Sequence, residues 1–288
     1  MKTIAITGSS GNLGTKLTSF LVGKEWCKKI IAIDKKISKK TTHQKINEFE
    51  LDLIKVNENT LIEILNDVDT FIHLSCQNPF PDATWEDSYL SFDMTLKIFS
   101  ILNNTPIKKF IYTSSNHVMG GYKDSPLYEQ LSSLNPLTTS LIPSPGTIWN
   151  NSKGVVDSTP YAVSKLMCER LFYSNYINSK LKTIIIRIGW CQPGINNPKT
   201  IDLDWTDTKF NNRSEYDQNN LKWFQNMWLS NNDYNHLFEQ SITTDLSKKN
   251  YNVLIINGMS NNENMLWDIS NAKNEIFYNP KDDVNEWL

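Results

Sequence analysis

The stretch TGSSGNLG at residues 7–14 decides the fold, because an apolar run precedes it and an amphipathic run follows it. Residues 3–6 are typical of a β-strand, and residues 12–24 are typical of a helix. A glycine turn between strand and helix lets the backbone approach a pyrophosphate, whose charge the helix N-terminus then faces. We therefore predict a dinucleotide-binding turn; a glycine-rich hairpin between two ordinary strands is the alternative. The residues of this turn expected to contact the dinucleotide are Gly8, Gly11, Asn12, Leu13 and Gly14.

A second apolar run, residues 30–33, ends in Asp34, about 20 residues after the last glycine of the turn. A carboxylate at this place accepts hydrogen bonds from the adenosine ribose hydroxyls and repels a 2′-phosphate. The sequence therefore predicts NAD as cofactor. Lys35 and Lys36, the next two residues, keep NADP open as the alternative.

Length and composition limit the remaining possibilities. A chain of 288 residues is long enough for one large α/β domain, or for a core with a small lobe. We predict a dinucleotide-binding core over residues 1–190, and over residues 191–288 a small substrate-binding lobe that includes the last strand, in one compact unit.

Charge and cysteine usage exclude several classes of protein. The net charge is −2 and charges of both signs are mixed, so we expect no nucleic-acid partner. Apolar runs are too short for a membrane span, and Met1 leads straight into the first strand, so we expect no membrane association and no signal peptide. Neither the four cysteines nor the four histidines have metal-ligand spacing. We expect a reduced, cytoplasmic protein without a structural metal.

Strand-like and helix-like segments alternate along the chain, as they do in a doubly wound parallel α/β sheet of the Rossmann type. The predicted strands are residues 3–6, 30–33, 48–53, 70–75, 108–114, 182–188 and 252–257. The predicted helices are residues 12–24, 58–66, 85–103 and 161–178. Thr159 is suited to cap the last of these helices, and Pro160 suits its first turn.

Two long stretches, residues 135–158 and 196–220, have no clean period. Each follows a strand end at the carboxyl edge of the predicted sheet, where ligands bind in open α/β folds. Lids or binding loops are one interpretation, and disordered insertions without a role are the other. Trp149, Trp205 and Phe210 are poor residues to leave exposed, which favours the first.

Tyr161 and Lys165 are four residues apart, which places them on one face of the predicted helix. An ammonium beside a phenol favours the phenolate, so we expect a lowered Tyr161 pKa and a base that removes a hydroxyl proton. Tyr176 and Lys180 repeat the spacing by chance, but lie at the far end of that helix. Ser115 ends the fifth strand on the same edge, where its hydroxyl would hold the reacting oxygen; capping a turn is its alternative role.

Two histidines lie close to these elements. His73 lies within an apolar strand, so we expect it to be buried and fully hydrogen-bonded. His117 follows Ser115 by two residues, so we expect it to face the pocket. Neither has a second metal ligand at suitable spacing, and no metal site is predicted.

Together, these motifs resemble the extended short-chain dehydrogenase/reductases, and most closely the bacterial uronate dehydrogenases. The more specific segments are TSSNHVMGGY at residues 113–122, RIGWCQP at 187–193 and MWLSNNDY at 227–234. The resemblance implies an NAD-linked oxidation of a sugar or sugar-acid hydroxyl. It implies cofactor contacts from Asp34, Asp52, Leu53, Leu74, Ser75, Lys165 and Ile188. It implies catalysis by Ser115, Tyr161 and Lys165, and substrate contacts from Asn116 and His117.

The sequence departs from that family around the substrate. Trp223 stands where uronate dehydrogenases present an arginine to the substrate carboxylate, and Trp190 stands where they have a small serine. Ser91, in the predicted helix over residues 85–103, stands where that family usually has an asparagine. Losing the arginine removes a geometrically specific carboxylate contact. We therefore expect Trp190 and Trp223 to contact the substrate. Whether that substrate is a hexuronate stays an open question.

Three functions remain open. The leading hypothesis is an NAD-dependent oxidoreductase acting on a sugar or sugar acid, with Tyr161 as base. A nucleotide-sugar epimerase or dehydratase with bound NAD is the second, although those enzymes usually carry a larger C-terminal lobe. A non-catalytic NAD-binding sensor is the third. The resemblance also implies a homo-oligomer, and Leu166, Leu171 and Phe172 fit either contact between copies or packing on the sheet.

Overall fold

A computed structural model describes residues 1–37, 41–174, 181–203 and 215–288. The strands of these described residues are β1 (Lys2–Thr7), β2 (Cys27–Asp34), β3 (Ile46–Glu50), β4 (Thr70–His73), β5 (Lys109–Ser115), β6 (Ile148–Asn151), β7 (Gly154–Asp157), β8 (Lys182–Ile188) and β9 (Val253–Gly258). Their α-helices are α1 (Asn12–Val22), α2 (Glu58–Ile64), α3 (Trp85–Leu102), α4 (Thr159–Ser174), α5 (Glu215–Asn226), α6 (Asn231–Thr243) and α7 (Ser270–Ile276).

Seven of these strands form one parallel sheet in the order β3-β2-β1-β4-β5-β8-β9. This is the predicted Rossmann-type sheet. The order reverses direction beside β1, which makes a crevice outside the carboxyl ends of β1 and β4. Thr7 is paired with Ile33 on one side and with His73 on the other, so three strands end level at that crevice.

Both faces of the sheet are buried, as a parallel sheet requires. Side chains alternate along β1: Ile4 and Ile6 pack with α1 and α6 on one face, whereas Ala5 packs with α2, α3 and α4 on the other. Phe172 belongs to this second layer and is 2 % exposed, so it packs on the sheet.

A third apolar cluster lies beyond the carboxyl edge and is rich in indoles. We call it the aromatic cluster; its tryptophans are Trp149, Trp190, Trp223, Trp228 and Trp267. The long stretch 135–158 joins it: β6 and β7 form an antiparallel hairpin there, and Trp149 is fully buried. That stretch is thus ordered. Trp205, Phe210, Tyr176, Lys180 and the last residues of the predicted fourth helix lie outside the described residues.

Most element bounds differ from the prediction by one to three residues, and two of these differences have a clear local cause. The third strand is Ile46–Glu50, which begins two residues and ends three residues earlier than predicted, because it pairs with β2 as far as Asp34. Thr159 begins α4 instead of capping it: the Ala162 amide donates to the Ser158 carbonyl at 2.9 Å, so Ser158 precedes the helix. Helices α5, α6 and α7 were not predicted, although Tyr234, Leu237, Phe238 and Ile242 of α6 have the i, i+3, i+4, i+8 spacing of a buried helix face.

No helix in the described ranges is long and apolar enough to cross a membrane. Nor do those ranges contain a group of three metal-ligating side chains.

His73 is buried as predicted, between two threonine hydroxyls. Its Nδ1 lies 2.7 Å from Thr7 Oγ1 and its Nε2 lies 3.1 Å from Thr95 Oγ1. Burial lowers its pKa from 6.5 to about 3, with a smaller contribution from the Lys165 charge. Below pH 6.5 the unfolded chain therefore binds a proton that the folded protein does not.

We expect the free energy of unfolding to fall as the pH drops from 6.5 toward 3. Between pH 7 and pH 5 this one site should cost about 2 kcal/mol. His73→Asn should reduce the difference between the two pH values by about that amount in denaturant titrations. His43→Asn, at an exposed histidine, is the matched control and should leave the difference unchanged. An unchanged pH difference in His73→Asn would contradict this account.

Candidate active site

The glycine turn between β1 and α1 is packed tightly against β4. Gly8 has a φ of +69°, and a Cβ on it would lie 3.0 Å from the Ser75 amide nitrogen. A Cβ on Gly14 would lie 2.1 Å from the Gly8 carbonyl oxygen. Only glycine fits at these two positions, so the backbone itself forms the surface that a pyrophosphate would approach. The turn therefore fits a dinucleotide.

Asp34 lies at the end of β2 beside this turn. One of its carboxylate oxygens accepts the Ser10 amide proton at 2.8 Å, which couples the acid to the glycine turn. Lys35 does not lie free beside it, because its Nζ is 3.3 Å from Asp52 Oδ2. Burial raises the pKa of Asp52, but the Ile54 amide and the Lys35 ammonium outweigh it and hold the pKa below its usual value. Of the two lysines that kept NADP open, Lys35 is thus paired with a carboxylate, and Lys36 also lines the cavity beside Asp34.

A cavity of about 1170 Å³ runs from Asp34 past the glycine turn to the ends of β5 and β8. Apart from Lys165 and Trp223, every residue predicted to contact cofactor or substrate lines it. The structure therefore brings the predicted set together at one edge of the sheet. Sequence reasoning missed Cys76, Phe80 and Asp202, which also line the cavity. Asp202 lies in a stretch without periodicity, where no signal could have found it.

Ser115, Tyr161 and Lys165 meet at the inner end of the cavity. The Ser115 hydroxyl hydrogen-bonds the Tyr161 phenol and accepts the His117 amide proton at 3.1 Å. Lys165 Nζ donates to the Thr113 carbonyl at 3.0 Å and lies 5.6 Å from the centre of the Tyr161 ring. The ammonium lies behind the phenol, so Tyr161 and not Lys165 faces the cavity.

The expected lowering of the Tyr161 pKa was wrong for the protein without ligands. Burial raises the pKa of this phenol above its usual value of 10.0, and the opposing effects of the Lys165 charge and the Ser115 hydrogen bond do not cancel it. A phenolate in a buried site loses the hydration that stabilises it in water. At neutral pH the Tyr161 phenol therefore carries its proton.

Buried polar contacts fix α4 to the sheet below the catalytic residues; we call them the polar seam, made of Ser114, Lys165, Glu169 and Arg187. Arg187 of β8 donates to both carboxylate oxygens of Glu169, at 3.0 and 2.8 Å. The Ser114 hydroxyl donates to the same carboxylate at 2.6 Å. Glu169 follows Lys165 by one helical turn on the same face of α4. The hydrogen bonds of these two side chains therefore fix both the position of α4 along its axis and its rotation about that axis.

His117 lies in the cavity wall with its ring held by two hydroxyl groups. Its Nδ1 lies 2.8 Å from Thr147 Oγ1 and 3.0 Å from Ser158 Oγ. Ser158 Oγ already accepts the Thr147 amide proton, so its own proton is available to Nδ1. This arrangement favours the tautomer with the ring proton on Nε2. Burial lowers the His117 pKa to about 3, so the ring is neutral.

The two substituted tryptophans have different positions. Trp190 lines the cavity, and its indole packs at 5.1 Å against Phe224. Trp223 packs against Trp267 at 5.7 Å within the aromatic cluster and does not line the cavity. Trp223 is therefore not placed to contact a substrate directly, and it could affect one only by positioning the residues that pack against it.

Comparison with known proteins agrees with this geometry. The model of the NAD-dependent epimerase/dehydratase family matches residues 4–189. The chain belongs to that family. A curated relative, the NAD-dependent glucose-6-phosphate dehydrogenase of Haloferax volcanii, is 24 % identical over 99 % of this chain and 95 % of its own length.

Solved structures share the fold of this family member. A glucuronic acid dehydrogenase from Chromohalobacter salexigens has a TM-score of 0.71 at 17 % identity, over 99 % of this chain and 86 % of its own. A UDP-glucuronic acid 4-epimerase from Bacillus cereus, solved with UDP-glucuronic acid and NAD, has a TM-score of 0.66 at 16 % identity, over 99 % and 96 %. Because the chain spans nearly all of that epimerase, the size of the C-terminal lobe does not separate the two activities.

We expect Asp34→Ala to weaken NAD binding by about 10- to 100-fold, because charge-assisted hydrogen bonds to the ribose are lost. NADP binding should weaken less or improve, since the repulsion of its 2′-phosphate is removed. Calorimetric titration with NAD and with NADP measures the ratio of the two dissociation constants. Glu50→Gln, at an exposed carboxylate on neighbouring β3, is the control and should leave the ratio unchanged. Equal losses for both dinucleotides would contradict the assigned role.

Proposed function

We propose that this protein is a dehydrogenase that oxidises a hydroxyl group of a sugar or sugar acid with NAD. The observation that carries the proposal is the convergence of Ser115, Tyr161 and Lys165 on the cavity beside the glycine turn. Each group suits one task in removing a proton from a hydroxyl as its carbon is oxidised. NAD, when bound, supplies the acceptor for the hydride that leaves that carbon.

Tyr161 is the proposed acid/base. In oxidation, its phenolate removes the substrate hydroxyl proton; in the reverse direction, its phenol returns it. Ser115 hydrogen-bonds the same oxygen and keeps it within reach of the phenol. Lys165 stabilises the phenolate from behind, because its ammonium is fixed by the Thr113 carbonyl in a buried site where charges interact strongly.

Asn116 and His117 are the proposed substrate contacts. The side-chain amide of Asn116 donates to the Ile188 carbonyl at 3.0 Å. The side-chain carbonyl oxygen of Asn116 is buried and accepts no hydrogen bond in the described structure, so it is available to a donor on a ligand. A substrate hydroxyl would be that donor. His117, neutral and with its proton on Nε2, would donate to a substrate oxygen.

An epimerase is the second candidate, favoured by the similarity to UDP-glucuronic acid 4-epimerase over nearly its full length. Two other relatives, a glucose-6-phosphate dehydrogenase and a glucuronic acid dehydrogenase, favour a dehydrogenase by their names. We also propose a cytoplasmic location, since all four cysteines are free thiols, as expected in a reducing compartment. Homo-oligomer formation stays a prediction.

We expect Tyr161→Phe to lower kcat for sugar oxidation by about 10²- to 10⁴-fold, the usual contribution of a positioned acid/base. NAD affinity should be unchanged, which shows that the variant is folded. Tyr173→Phe, twelve residues later on the outer side of α4, is the matched control and should keep full activity. Full turnover by Tyr161→Phe would exclude this mechanism.

The rate of oxidation should rise with pH through the neutral range, about tenfold per pH unit, because burial keeps Tyr161 protonated and the base is its minor form. The reverse reduction should not gain from higher pH. Lys165→Met should move the rising limb of the oxidation profile to higher pH. An oxidation rate that falls from pH 7 to pH 9 would argue against a phenolate base.

A further inference from the structure

The chain that leaves β8 forms a wall of the cavity beside the catalytic residues. We call residues 190–197 the wall segment. It begins two residues after Ile188, which is paired with Ser115 in the sheet. Its position therefore shapes the end of the cavity at which Ser115 lies. The residues of the segment that line the cavity are Trp190, Cys191, Gln192, Pro193, Ile195 and Asn197.

Two side chains of α1 tie one side of the wall segment to the glycine turn. The Asn12 side-chain amide donates to the Cys191 carbonyl at 3.2 Å, and Lys16 Nζ donates to the Gln192 carbonyl at 2.6 Å. Because α1 begins at the glycine turn, these bonds relate the segment to the surface that a pyrophosphate would approach.

Asn196 ties the other side of the segment from a fully buried position. Its Nδ2 donates to the Leu229 carbonyl at 2.6 Å. Its Oδ1 accepts the Gln192 amide proton at 2.6 Å and the Trp228 indole proton at 3.1 Å. One buried amide therefore joins the wall segment to the residues that precede α6.

The backbone at Asn196 is left-handed, with a φ of 61°. Asparagine is one of the few residues with a Cβ that adopt this conformation, and glycine adopts it at no steric cost. The backbone would therefore accept glycine here, whereas the three side-chain hydrogen bonds need the amide.

We propose that Asn196 is a positioning residue that holds the wall segment in the place that sugar oxidation requires. Its effect on the reaction rests on the proposed dehydrogenase function. Asn196 is not among the described residues that line the cavity, so it acts through the neighbours that do. A displacement of about 1 Å in such a wall can lower the rate by about 100-fold.

Alkylation of Cys191 by iodoacetamide reports on the wall segment without any need for activity. Burial raises the pKa of the Cys191 thiol to about 12, which keeps its reactive thiolate scarce. Asn196→Gly removes the side-chain bonds and keeps the backbone conformation. We expect it to admit water to Cys191 and to speed alkylation by about tenfold or more, since each pKa unit regained gives tenfold more thiolate.

The other cysteines are internal controls when peptide mass spectrometry measures the rate at each thiol. Cys76 lines the cavity from the β4 side, and Cys27 and Cys168 are buried in the core. We expect their rates to stay as they are in the unaltered protein. An unchanged rate at Cys191 overturns the proposal. Equal acceleration of all four thiols also overturns it, because it would show a general loosening of the fold.

Kinetics of the same variant measure the effect on the reaction. For the sugar that the unaltered protein oxidises best, we expect Asn196→Gly to lower kcat/KM by about 10- to 100-fold. The pH at which oxidation accelerates should not move, because the polar seam holds Tyr161 and Lys165 independently of the wall segment. Asn264→Gly is the matched control, at an exposed asparagine with a φ of 64°, and should change neither kcat/KM nor the Cys191 rate.

The two readouts separate this inference from the proposed function. Faster alkylation of Cys191 with an unchanged kcat/KM overturns the positioning role and leaves the dehydrogenase standing. If the unaltered protein forms no NADH with any sugar, the proposed dehydrogenase fails, whereas the Cys191 rates still decide whether Asn196 holds the wall segment.

Discussion

The polar seam between α4 and the sheet is the constraint on which the rest of the site depends. Tyr161 has its position because Lys165, one turn later, is tied to the Thr113 carbonyl and Glu169, one turn further, is tied to Arg187 and Ser114. Removing one partner of a buried ion pair costs about 3–5 kcal/mol, since the other charge is left without compensation. The pair therefore fixes the position of α4 more than it adds to stability. Its strands, β5 and β8, are the same ones whose ends supply Ser115 and the loop that carries Trp190.

The parallel arrangement of the strands brings the other site residues together. The sheet ends level at its carboxyl edge, so the glycine turn after β1, Asp34 after β2 and Ser115 after β5 all open onto one cavity. Beyond that edge, the aromatic cluster closes the inner end. The hairpin of β6 and β7 belongs to it, and Thr147, just before β6, holds the His117 ring. An insertion without sequence periodicity thus contributes to the orientation of a proposed substrate contact.

Local signals in the sequence predicted the parts of the site that the backbone dictates. The glycine turn has to be glycine because Gly8 and Gly14 leave no room for a Cβ. Tyr161 and Lys165 share a helix face by spacing alone, and Asp34 and Ser115 follow from where strands end. Six of the seven sheet strands were recognisable because each contains an apolar run that the sheet buries, whereas the edge strand β3, with the sequence INEFE, is only partly buried and its bounds were misplaced.

Contacts between distant segments could not be predicted. The hydrogen bond between His117 and Thr147 and the ion pair between Lys35 and Asp52 each join residues far apart in the chain. Asp202 lines the cavity from a stretch without periodicity. Trp223 packs on Trp267, 44 residues later, so its replacement of an arginine gave no sign that it would turn away from the cavity. The Tyr161 pKa was misjudged for a related reason: the spacing reveals the neighbouring ammonium but not the depth of burial.

A dehydrogenase transfers hydride from the substrate to NAD permanently, whereas an epimerase returns the hydride to the substrate. Multiple-turnover NADH accumulation tests this most directly, with protein at low concentration and NAD and sugar in large excess. For the proposed dehydrogenase we expect NADH in amounts many times the concentration of the protein, together with an equal amount of oxidised sugar. NADH that never exceeds the concentration of the protein, while nuclear magnetic resonance shows the sugar converted to its epimer, would contradict it.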